Sequence, residues 1–165
     1  MSGEERIETV GRAGPPTFAT FYDTHRERLY RALALTIRDP DLAREAVDEA
    51  MARAAQRWAT IHDYDAPAGW VFRVALNWSR SVFRRRSHLW RANRPHAVPD
   101  SLPDVDVNRA VAGLPEHQRV VVVARFYLDW TIDDIAAALE IPPGTVKSRL
   151  SRALSALAET LGSDS

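Results

Sequence analysis

Apolar side chains recur at three- and four-residue steps along most of the chain, the repeat expected of helices that bury one face. From Thr17, which can cap a helix start, Phe18, Phe21, Tyr22, His25, Leu29 and Leu33 keep this step and predict a helix ending near Asp39 and Pro40. A second helix is predicted from about Asp41 to Trp58, with Ala43, Ala46, Val47, Ala50, Met51, Ala54 and Trp58 turned inward. The pattern lapses between Ala59 and Ala68 and resumes after Pro67, a residue suited to the first turn of a helix. In that third helix Trp70, Val71, Val74, Ala75, Trp78 and Val82 form the buried stripe. Residues 92–105 then carry prolines at 95, 99 and 103 and no apolar period, the signature of a linker.

Beyond the linker, Val107, Val111 and Leu114 mark a short helix closed by Gly113 and Pro115. The following run contains four consecutive valines, Val120 to Val123, which would suit a strand on local preference. Pro115 and Glu116 are helix-start signals, and no partner strand is in sight, so a helix is expected. Thr131 and Asp134 have the spacing of a capping box, and Ile132, Ile135, Ala136 and Leu139 give a short helix that Pro142 and Pro143 stop. Val146, Leu150, Ala153, Leu154, Leu157 and Leu161 predict a second helix packed against it. The expected fold is all-α. A disordered tail (1–16) leads into a first helical domain (17–91), a proline-containing linker (92–105) and a second helical domain (106–161) ending in a helix-turn-helix.

Charge sharpens this picture. Lys plus Arg equals Asp plus Glu at 22 each, so any affinity for nucleic acid must come from local patches. Between Ala66 and Pro99 there are seven arginines and no carboxylate, whereas Asp100 to Glu140 holds eight carboxylates and three arginines. On the third helix Arg73, Asn77, Arg80 and Arg84 fall at steps of four, three and four, and Arg85 and Arg86 extend this basic ridge. Trp70, Trp78, Phe83 and Trp90 lie close by. Aromatic surface beside cations suits single-stranded bases, whose faces stack while arginines hold the phosphates. On the last helix Lys147, Ser148, Ser151, Arg152 and Ser155, with Arg149 beside them, share the face opposite the apolar stripe, and no acidic residue follows until Glu159. Donors projecting from the first turns of such a helix are what a helix-turn-helix uses in the major groove. The second helix instead shows Asp41, Glu45, Asp48 and Glu49 outward, either a solvated face or a dock for a basic partner.

Catalytic signals are missing. The five histidines are isolated, and His25 sits in an apolar stripe as a packed residue would. There is no cysteine, no His-Glu-x-x-His, no glycine-rich phosphate loop and no nucleophile motif. The expectation is a protein that is not an enzyme and takes no cofactor or metal. No unbroken apolar run is longer than Val120 to Ala124, so a soluble, cytoplasmic protein is expected.

The order of parts resembles the extracytoplasmic-function (ECF) sigma factors of bacterial RNA polymerase. Carrying the resemblance are the acidic helix, the tryptophan helix from Ala68 to Asn77, the proline linker, Leu114-Pro115-Glu116 with Gln118-Arg119, and Ile141 to Leu150 (IPPGTVKSRL) followed by Arg152-Ala153. The match runs from Phe18 to Leu161. It implies a first domain that binds the polymerase clamp through Glu45, Asp48 and Glu49 and captures the melted −10 element with Arg73, Asn77, Arg80, Arg84 and Arg85. The loop from Ile61 to Ala68 falls where a flipped base is held. The second domain would read the −35 element as duplex with Thr145, Lys147, Ser148, Arg149, Ser151 and Arg152. Partners implied are core RNA polymerase, promoter DNA and an anti-sigma factor. Where the family usually has Leu-Val-Gln-Glu with a phenylalanine two residues on, this chain has Ala46-Val47-Asp48-Glu49-Ala50-Met51. The other readings are a stand-alone dimeric helix-turn-helix regulator, which would favour palindromic duplex sites, and a protein-binding scaffold, which leaves the arginine block unexplained.

Overall fold

The computed structural model describes residues 14–87 and 104–163, and over these the chain is helical without a strand. Trp90 and nearly all of the expected tail and linker lie outside the described residues. Helix α1 (Phe18–Ile37) starts where Thr17 Oγ1 accepts from the Thr20 amide. It stops at Arg38, whose left-handed backbone turns the chain into α2 (Pro40–Gln56). There Asp39 caps the start by accepting from the Leu42 amide, and Pro40 occupies the first turn, where no amide hydrogen is needed. Trp58, expected to end α2, belongs instead to α3 (Trp58–Ile61), because the helix breaks at Arg57. Helix α4 (Pro67–Ser87) packs across both α1 and α2.

The second half holds α5 (Val105–Ala112), α6 (Glu116–Val122), α7 (Ile132–Leu139) and α8 (Pro143–Gly162). Asp104 caps α5, so that helix starts on the last residue of the expected linker. The valine run is helical, as the start signals predict. All four valines are buried, and burial outweighs their strand preference. From Val123 to Tyr127 the winding loosens into a π-turn, in which the Leu128 amide reaches back to Val123 O at 3.1 Å. The capping box of α7 is complete, with Thr131 Oγ1 accepting from the Asp134 amide and Asp134 accepting from the Thr131 amide. Val146, Leu150 and Ala153 are buried, but Leu154, placed by its spacing in the same stripe, is 46% exposed. The physical reason is angular: at 3.6 residues per turn Leu154 lies about 80° round the helix from Val146, at the edge of the stripe, whereas Leu157, further along but nearer its centre, is partly buried.

The buried residues of both halves form one continuous cluster. Helix α4 is apolar on two sides. One stripe is that read from the sequence; the other, Phe72 and Leu76, is buried as well. The Phe72 ring meets Trp130 edge-on at 5.6 Å, and α4 lies along α7. Gly69 permits that approach, since a Cβ there would stand 3.3 Å from Ala138 Cβ. Polar contacts close the seam. Arg119 Nε donates to Thr36 O at 2.6 Å, Arg28 to Tyr127 O at 2.9 Å and to Asp129 at 3.0 Å, Arg80 to Glu116 at 2.8 Å, and Arg73 pairs with Glu140 at 3.2 Å.

Candidate nucleic-acid and polymerase interfaces

Burial of Val146, Leu150 and Ala153 against α6 and α7 fixes the rotation of α8 and so decides which side chains face out. Lys147, Ser148, Ser151, Arg152 and Ser155 are exposed, and Thr145 and Arg149 are half-buried. Ser148 Oγ folds back onto Thr145 O at 3.1 Å. Among the described residues no carboxylate pairs with Lys147, Arg149 or Arg152. The six residues assigned to −35 reading therefore cluster on the first turns of one helix, with three cations available to an anionic ligand.

The ridge on α4 is divided. Asn77, Arg84 and Arg85 are exposed, and Arg85 is steadied by its own helix through Ser81. Arg73 and Arg80 are held by the second half of the chain, through Glu140 and Glu116. Arg86 reaches across to Glu45 at 3.1 Å. Of the neighbouring aromatics, Trp70 and Trp78 pack partly into the core, while Phe83 is 65% exposed.

The acidic face of α2 carries less free charge than its sequence suggests. Glu45 is paired with Arg86, Asp48 accepts from both Nε and Nη2 of Arg26 at 3.2 and 2.9 Å, and Glu49 holds Arg53 at 2.9 Å. These arginines come from α4, α1 and α2 itself, so the face is a lattice of opposite charges. Such exposed pairs contribute little to stability and can exchange partners at little cost.

The loop between α3 and α4 borders two hollows. One, of about 440 Å³, is walled by Phe21, His25, Trp58, His62 and Tyr64. The Trp58 indole donates to Pro16 O at 3.0 Å, and His62 Nδ1 lies 2.8 Å from Trp58 O. Burial, and then the charge of Arg28, push His25 below the ordinary histidine pKa, consistent with the packed role read from its stripe. The second hollow, of about 280 Å³, lies between Tyr64, Asp65, Trp70 and Arg73 on one side and Ala137 and Ala138 of α7 on the other. Among the described residues no cluster of His, Cys, Asp and Glu could hold a metal, and no helix is long and apolar enough to cross a membrane.

Three residues that shape these surfaces were given no contact role in the sequence: Glu140, and Glu116 and Arg119, which were noted only as helix-start and family-motif residues. Glu140 had a local signal. It stands where a helix ends in a left-handed residue, the position glycine fills most often. The other two meet partners far along the chain, and no local pattern marks that.

Comparison with known proteins agrees with this geometry. A family model described as sigma-70, region 4, matches residues 104–157, the segment that holds the helix-turn-helix. The RNA polymerase sigma-E factor of Streptomyces coelicolor is 32% identical over 158 residues, covering 87% of this chain and 85% of that protein. The ECF RNA polymerase sigma factors SigM and SigL of Mycobacterium tuberculosis are 33% and 34% identical, covering 88% and 94% of this chain and 77% and 95% of their own lengths. Among solved structures, the sigma factor RpoE of Bartonella quintana, crystallised with the anti-sigma factor NepR, superposes with a TM-score of 0.73 at 23% identity. It covers 90% of this chain and 98% of that one, a likeness of fold.

Proposed function

The chain belongs to the extracytoplasmic-function sigma factors of bacterial RNA polymerase, and from that membership we propose how its surfaces divide the work. It binds core polymerase and directs promoter-specific initiation through the −10 and −35 elements. The observation that carries the allocation is the outer face of α8: a cationic, hydroxyl-bearing surface without carboxylate partners, on a helix whose other side is locked into the core. In our reading residues 106–161 form the duplex-reading domain. Thr145, Lys147, Ser148, Arg149, Ser151 and Arg152 face the major groove, some on base edges and others on phosphates. Arg152→Ala is expected to cost about 1 to 3 kcal/mol of promoter binding and to relax preference at one −35 position. Binding measured over a panel of −35 variants checks this; a uniform loss would make Arg152 a phosphate contact.

Residues 17–91 form the polymerase- and −10-binding domain, joined to the first by the linker at 92–105. Arg73, Asn77, Arg80, Arg84 and Arg85 run along the melted strand, where intact duplex would keep the bases stacked and out of reach. A base released from the strand has the loop from Ile61 to Ala68 and its hollows to enter. The double variant Arg80→Ala with Arg84→Ala is expected to weaken open-complex formation and to lower the salt slope by about 1.4, for two single-strand phosphate contacts. Transcription at normal levels across salt concentrations would reduce the ridge to solvated surface. Glu45, Asp48 and Glu49 are assigned to polymerase, exchanging their internal arginines for basic groups of the clamp.

The polymerase carries the chemistry of initiation, and we assign none to this chain. Its place of work is then the cytoplasm, and an anti-sigma factor, the kind of partner found with the solved neighbour, is a natural regulator. The dimeric regulator is disfavoured, because the likeness to sigma factors spans both halves of the chain. Gel shifts with and without core enzyme at physiological salt provide the test. Sequence preference should appear only with polymerase, and tight, specific binding of intact duplex by the free protein would overturn the reading.

A further inference from the structure

Two arginines, Arg38 and Arg119, meet at the carboxyl end of α1 and leave positive charge there unanswered. Arg119 is buried, with Nε donating to Thr36 O at 2.6 Å and Nη1 to Ala112 O and Leu114 O at 2.9 Å each. Arg38 follows Thr36 by two residues and closes the same helix end. Burial, and then the charge of Arg38, lower the Arg119 pKa, while Glu116 acts the other way. Among the described residues no carboxylate pairs with either arginine, and Glu116 is already engaged by Arg80 at 2.8 Å. Arg38, Arg80 and Arg119 thus share one carboxylate. The ends of α1 and α5 each supply roughly half a negative charge, which leaves about one positive charge over.

A second observation lies in Arg38 itself. Its Nε is buried and has no hydrogen-bond partner, and no other buried side-chain nitrogen or oxygen among the described residues is left in this way. Such a donor has given up water without gaining an acceptor, and here it also faces a like charge. The backbone adds to the cost. Arg38 caps α1 in the left-handed conformation, with φ of 59°, where glycine or asparagine is usual. Either of those would end the helix with less strain and without the repulsion.

We propose that Arg38 and Arg119 form an anion site that takes a small phosphate-class oxyanion, as inorganic phosphate or as the phosphate of a nucleotide. The oxyanion accepts from the Arg38 guanidinium, Nε included, and offsets the charge of Arg119, whose own bonds to the three carbonyls stay in place. A guanidinium fork matches the oxygens of phosphate, and a phosphate brings more charge and more acceptors than a carboxylate does. Neither arginine is among the residues assigned to DNA or polymerase, so the proposal stands or falls separately from that reading.

The test follows urea unfolding of the full-length protein while phosphate replaces chloride at constant ionic strength. A ligand bound only by the folded state stabilises it by mass action, so at about ten times its Kd the folded-to-unfolded ratio should rise about elevenfold. Phosphate also strengthens burial in any protein, and variants remove that common part. Arg38→Asn takes away the guanidinium but keeps a residue that accepts the left-handed turn, and it should lose the specific response, as should Arg38→Gly. Arg57→Asn removes an exposed arginine that also lacks a carboxylate partner among the described residues, and it should respond as wild type does. Adenosine diphosphate, titrated in parallel, separates the sources. A response to inorganic phosphate marks a free-ion site and a response to the diphosphate alone a nucleotide site, and either one, lost with Arg38, supports the assignment. No response of the wild type to either ligand, an equal response from wild type and Arg38→Asn, or an equal loss in Arg57→Asn would overturn it.

Discussion

Phe72→Ala is expected to lower the unfolding free energy of the full-length protein by about 3 to 5 kcal/mol, the usual cost of emptying a core aromatic site. Phe72 is 1% exposed and is wedged between the first-half helices and Trp130, so the cavity would open where the two halves share their core. Urea denaturation followed on tryptophan fluorescence gives the measurement, with Trp130 reporting from the seam itself. Phe83→Ala, at a 65% exposed position on the same helix, should stay within about 0.5 kcal/mol of wild type. If the two substitutions cost the same, the second apolar side of α4 is not buried as described.

Arg119→Ala should cost roughly 2 to 4 kcal/mol, for a different reason. Arg119 is 7% exposed, and its guanidinium donates to three carbonyls, Thr36 O in the last turn of α1, Ala112 O at the end of α5, and Leu114 O. Among the described residues no carboxylate pairs with it. Its charge is met by the negative ends of two helices, which is how a buried arginine can be held without an acidic partner. Burial and the nearby Arg38 both pull its pKa down, and Glu116 pulls it up. Removing Arg119 also relieves its repulsion with Arg38, which offsets part of the loss. Arg119→Lys should recover only part of the stability, because an ammonium cannot span carbonyls on separate helices as the planar fork does. Full recovery by lysine would mean that charge, and not the bridge between the halves, is what the site requires.

Much of this protein was legible along the chain. Thr17, Pro67 and Thr131 mark helix starts by chemistry confined to one turn, and the structure has helices at those places; Asp39, Pro40 and Pro143, read as stops, also open the helices that follow. The outer face of α8 was legible for the same reason: once Val146, Leu150 and Ala153 are buried, the helical repeat leaves Lys147, Ser151 and Arg152 facing out. Even the valine run yielded, since Pro115 and Glu116 speak for a helix within four residues of it. What only the tertiary structure decided is which of several alike residues are engaged. Arg73, Arg80 and Arg84 are the same side chain on one ridge, yet two meet carboxylates and one does not; the partner of Arg80 lies 36 residues away and that of Arg119 on α1 lies 83 away. Phe72 and Leu76 fell outside the inward stripe because a helical period marks one buried face, and α4 has two. Local sequence fixes helices through bonds that close within a turn; the docking of one half on the other depends on groups that only folding brings into contact.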